Sequence, residues 1–83
     1  MSSLARAVGH YTQAHADEKQ ALLLHHMRRS NDEPATVLRQ SRRDWHIAAR
    51  RLLTASYHLM QGVDEELTLA RAELLDGTDT VAR

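Results

Sequence analysis

Two columns of side chains, each repeating every seven residues, run through the second half of this chain. Leu38, Trp45, Leu52 and Leu59 form one, and Ser41, Ala48, Ala55 and Gly62 form the other. The first is bulky and the second uniformly small. The first thirty residues repeat the scheme less cleanly, with Ala7, Ala14 and Ala21 in the small column and Leu4, Tyr11, Glu18 and His25 in the larger, flanked by Val8, His15 and Leu22. Matching heptad columns on two segments are what a seam between packed helices requires. Small residues on facing columns let the helix axes approach at the close end of the usual range of about 8 to 10 Å, with the large residues filling the sides. The pattern predicts an all-α fold, an antiparallel alanine-rich helical hairpin of the coiled-coil kind.

Turn signals locate its bend. The one dense cluster is Ser30, Asn31, Asp32, Glu33 and Pro34. Asn31 or Asp32 can accept from the free amides of the following helix, Glu33 suits its positive end, and Pro34 fits a first turn that needs no N–H. Arg28 and Arg29 suit the end of the preceding helix. The helices are therefore expected over about residues 3–29 and 34–61. Gly62 and the acidic run Asp64, Glu65 and Glu66 then suggest a break, after which Val63, Leu67, Ala70 and Leu74 continue at helical spacing. A third helix is predicted over about residues 64–76, either folded back or extending the second as a rod, because one glycine costs only about 1 kcal/mol inside a helix. Residues 1–77 read as a single helical domain and 78–83 as a frayed tail.

Some apolar residues miss the seam. Leu23 and Leu24 point away from it, as do Leu53, Tyr57 and Met60, which share their own i, i+4, i+7 stripe. Either the third helix covers this second face, closing a three-helix bundle, or the face is an interface for self-association or for another helix.

Composition narrows the chemistry. A chain of 83 residues buries only about 60 to 65% of the surface its unfolded form exposes, so its stability margin is thin. With no cysteine there is no disulfide, thiolate metal site or thiol nucleophile. No apolar run approaches the roughly 20 residues that span a bilayer, the longest being Ala21 to Leu24, and no signal-peptide pattern opens the chain. A cytoplasmic protein without membrane contact is expected. The six histidines fall in no metal-ligand spacing: His-Glu-x-x-His and Glu-x-x-His are both absent, and His15, Glu18 and His25 are spread too far along one helix to share an ion. They read as exposed groups that titrate locally, with no resident metal or other cofactor. The serines sit at helix ends or in the small column, without a glycine elbow or oxyanion nest, and no glycine-rich loop could cradle phosphate, so no catalytic set stands out. Glu18 should lie near Trp45, with Arg42 or Arg43 as its ionic partner.

The formal net charge is zero but uneven: the middle is basic and the C-terminal third acidic. Arg39, Arg43, His46 and Arg50 run down one side of the second helix, with Arg28 and Arg29 near its start. Such a basic patch can track phosphates, although no helix-turn-helix spacing or aromatic stacking set accompanies it.

Ala21 through Leu24, Met27 with Arg28 and Arg29, Asp32, and later Ala48-Ala49 with Leu52-Leu53 resemble the short helical-hairpin co-chaperones of type III secretion needle subunits. The segment from Gln40-Ser41 to Gln61-Gly62-Val63-Asp64 is similar to the C-terminal helices of needle and inner-rod subunits. The resemblance implies a bacterial protein that shields another helical subunit from premature polymerisation. The residues themselves point to a non-enzymatic protein of bacterial or phage origin, acting as a small chaperone, adaptor or inhibitor. Its partner would be another helical protein or a second copy in a dimer, held through Leu23, Leu24, Leu53, Tyr57 and Met60. The alternative is a nucleic-acid-binding regulator using Arg28, Arg29, Arg39, Arg43 and Arg50.

Overall fold

In the computed structural model, the backbone is described over residues 3–82 and the side chains over residues 3–76. The described residues form two helices and no strand: α1 (Ser3–Ser30) and α2 (Ala35–Ala82). Their antiparallel packing gives a rod of 74 × 19 × 14 Å. Its radius of gyration is 20.6 Å, against about 12 Å for a compact domain of this length.

The bend is a Schellman turn. Glu33 N–H donates to Arg28 C=O and Asp32 N–H to Arg29 C=O, both at 3.2 Å, and Asp32 itself sits in the left-handed region at φ 54°. Asp32 thus ends α1, where it or Asn31 was expected to cap the next helix. The first carbonyl of the new helix belongs to Pro34, which accepts from Leu38 N–H at 3.1 Å. Proline there surrenders no hydrogen bond, since the opening amides of a helix have no intrahelical acceptor.

The seam follows the heptad columns. Ala7, Ala14, Ser41, Ala48, Ala55 and Gly62 are buried, and Leu4, Tyr11, Leu38, Trp45, Leu52 and Leu59 half-buried beside them. Its register is fixed at both ends. Near the turn His25 Nδ1 lies 2.6 Å from Ser41 Oγ, and at the far end a Cβ on Gly62 would sit 3.4 Å from Leu4 Cα. From His25 back to Leu4 and from Ser41 forward to Gly62 are three heptads each, so the pairing holds one register throughout.

That register pairs a large side chain with a small one at every level: Leu4 with Gly62, Ala7 with Leu59, Tyr11 with Ala55, Ala14 with Leu52, Glu18 with Ala48, Ala21 with Trp45, and His25 with Ser41. Trp45, set opposite Ala21, reaches both neighbouring levels. Its Nε1–H donates to Glu18 Oε1 at 3.1 Å and its ring stacks on His25 at 6.3 Å. The partner of Glu18 is therefore the indole, where Arg42 or Arg43 was expected.

The separate third helix does not form. α2 continues through Gly62 without interruption, because the glycine's cost of about 1 kcal/mol falls in a stretch otherwise rich in Glu, Leu and Ala, all strong helix formers. Gly62 is the level at which Leu4 packs against α2. Residues 63–76 project beyond the start of α1 and are all exposed. α2 runs to Ala82, through the backbone of most of the tail expected over residues 78–83, whose side chains lie outside the described ones.

Candidate interaction surfaces

The apolar interior of this hairpin is made of methyl groups. Its buried apolar residues are Ala7, Ala14, Ala48 and Ala55, and no large aliphatic or aromatic side chain among the described residues is fully buried. A core so thin half-buries Leu4, Leu38, Leu52 and Leu59 and leaves most of the other leucines and methionines exposed. Leu53, Tyr57 and Met60 stand on the outer face of α2, and with Val63, Leu67 and Leu74 they are 40 to 71% exposed.

Because α2 is unbroken, what the spacing divided between a stripe on one helix and the core of another becomes a single feature. Leu53, Met60, Leu67 and Leu74 recur every seven residues, beside Ala49, Ser56, Val63 and Ala70. On a helix these two columns lie side by side, about 100° round from the seam that holds α1. Ala49 and Ser56 are half-buried at its hairpin end, and the rest is open. Tyr57 borders the stripe, its hydroxyl accepting from Gln61 Nε2 at 3.2 Å. The heptad of leucine and methionine signalled this in the sequence, but an assumed break at Gly62 cut it in two.

Leu23 and Leu24 are exposed but stand apart. In the hairpin register Met60 is level with Arg6 on α1, so it lies roughly 27 Å along the rod from Leu24. One small docking surface could not use both groups.

The arginines do converge. Arg39, Arg42, Arg43, His46 and Arg50 surround one shallow concavity on α2, which Arg28 and Arg29 at the end of α1 do not line, although Arg29 like Arg42 acts electrostatically on His25. A second open groove between the helices, near His10, Asp17, Arg50 and His58, is lined by mixed charges.

Five of the six histidines are exposed, as expected, but His25 is buried. Ser41 Oγ donates to Leu38 C=O at 3.1 Å, which leaves His25 Nδ1–H to donate to Ser41 Oγ. Burial holds the His25 pKa below the usual imidazole value, with Arg42, Arg29, His26 and His46 adding electrostatic pressure in the same direction. A neutral ring suits this place, since a cation would be desolvated among other cations. No three His, Asp or Glu side chains among the described residues are grouped to hold a metal ion, and no described helix is long and apolar enough to cross a membrane. No protein-family description, curated protein or solved structure matches this chain.

Proposed function

We propose that the protein is a non-enzymatic helical interaction module whose work is to bind another protein chain along the outer face of α2. The observation that carries this reading is the exposed stripe of Leu53, Met60, Leu67 and Leu74 on one unbroken helix. Contiguous apolar surface of this kind marks a protein-binding site, and a hairpin with a methyl-lined core gains more by covering it than a domain with a large core would. The binding mode is a helix face read at i, i+4 and i+7 anchors. A chaperone, adaptor or inhibitor that shields a helical subunit works this way, which is also what the likeness to type III secretion co-chaperones implies. A cytoplasmic setting suits a chain without cysteine.

A photo-crosslinking amino acid in place of Met60, and separately in place of Arg43, tests the surface in cells. Protein adducts should form at position 60 and not at 43. Adducts at neither position, or at 43 alone, would refute the assignment.

The arginine concavity supports a second reading, in which phosphates of a nucleic acid bind Arg39, Arg43 and Arg50. Such binding releases counterions and weakens steeply with salt. A gel shift at low salt that disappears at moderate salt is its signature, and no shift at low salt removes it.

A further inference from the structure

We propose that the occupant of the outer stripe is a second copy of this chain, lying antiparallel along α2; the proposal rests on the reading that the stripe binds protein. The hairpin itself supplies the rule. At every level of its seam a large side chain meets a small one, as Leu4 meets Gly62 and His25 meets Ser41. The outer stripe is built from the same two kinds of column. A two-fold axis passing between Gln61 and Gly62 would set Ala49 against Leu74 of the other copy, Leu53 against Ala70, Ser56 against Leu67, and Met60 against Val63. Each pair again joins a longer side chain to a shorter one, and the symmetry repeats each pair, so eight levels close together. A foreign helix would require only an apolar face, whereas this stripe is complementary to itself about its own midpoint. It runs from Ala49 to Leu74, between three and four heptads, about the length at which such a repeat specifies helix pairing.

Charge selects the direction. Residues 35–51 of α2 carry net +4, from Arg39, Arg42, Arg43, Arg50 and Arg51 against Asp44. Residues 64–76 carry net −4, from Asp64, Glu65, Glu66, Glu73 and Asp76 against Arg71. Parallel copies would stack like charge on like, while antiparallel copies lay each acidic overhang toward the basic half of the other, with Glu73 opposite Arg50. The overhang, which has no α1 beside it in one chain, then lies against the hairpin of its neighbour.

Because the chain has no cysteine, engineered thiols report the pairing directly. Leu53→Cys and Ala70→Cys are to be made singly and together, checked for helicity by circular dichroism, oxidised, and run without reductant. Residues 53 and 70 are about 25 Å apart on one helix, far beyond the Cα separation of about 7 Å that a disulfide tolerates, so any bond is between chains. The double variant should become a disulfide-linked dimer while each single variant stays unlinked. Linkage in either single variant indicates parallel pairing and overturns the proposal. So does an unlinked double variant whose sedimentation mass is that of one chain at about 100 µM, where even micromolar association is populated. A one-chain mass together with Met60 adducts to a different protein overturns the second copy and leaves the docking surface standing; a one-chain mass with no adducts sinks both.

Discussion

Replacing Gly62 with alanine should stabilise the hairpin by about 1 to 1.5 kcal/mol, and the reasoning combines helix propensity with the fit of one methyl group. Within a helix, glycine is about 0.8 to 1.0 kcal/mol less favourable than alanine. The added Cβ would meet Leu4 Cα and Cδ1 at 3.4 Å and Leu4 Cβ at 3.8 Å, which is van der Waals contact without intrusion. Gly9 provides the control: it is helical too, but nothing lies within 4 Å of where its Cβ would be, so Gly9→Ala changes propensity alone. Thermal unfolding followed at 222 nm separates the two effects, because 1 kcal/mol moves the midpoint of so small a domain by about 4 to 8 °C. Both variants should melt higher than the parent, Gly62→Ala by at least as much as Gly9→Ala. A Gly62→Ala variant that melts below the parent would show that the helices approach more closely than the register allows, and would refute the reasoning.

Three further outcomes follow from the same geometry. Ala55→Leu forces a larger group between close-set helices and should cost about 1 to 3 kcal/mol in urea unfolding, whereas Leu69→Ala, past the start of α1, should change stability by no more than about 0.5 kcal/mol; equal effects would deny the seam. Asp32→Gly removes a side chain from left-handed backbone and should raise stability by about 1 kcal/mol in the same assay, and a loss would mean that the aspartate makes a contact worth more than the strain. His25, buried and then pressed by Arg42, Arg29, His26 and His46, has a folded-state pKa below its unfolded value of about 6.5, so below that pH the unfolded chain binds more protons. Stability should hold above that pH, decline as the pH falls toward the folded-state pKa, and level off beneath it. His25→Gln, neutral at every pH, should flatten the decline, and an unchanged profile would assign it to other groups.

The sequence carried the two columns of the seam, because small and large residues recurring every seven positions on both segments demand helix packing: Ala7, Ala14, Ala48 and Ala55 fall on them, while the register between them, which a slip of one heptad would preserve, came only with the structure. It also placed Leu53, Tyr57 and Met60 off those columns, but left open whether a third helix would cover them. The fate of Gly62 was not legible. A glycine's helix penalty is small beside the preference of the residues that follow, and the seam with Leu4 that it completes joins positions far apart in sequence. Cutting the chain there hid the unity of Leu53, Met60, Leu67 and Leu74. The place of His25 was hidden differently: its partner Ser41 sits across the turn, and only a register counted level by level brings the two into hydrogen-bonding distance. Asp32 drew a capping role from its residue type, while the need for one left-handed residue between two closely packed helices decided its actual one.

Everything proposed for the outer face depends on α2 running on as a single rod past Gly62. Thr54→Cys and Leu75→Cys, spin-labelled in one chain and diluted into unlabelled protein, measure this by pulsed electron resonance. A continuous helix predicts a separation of about 31 Å between the two positions. A dominant distance under about 20 Å would mean that the C-terminal segment folds back over the stripe and covers it, contradicting the account.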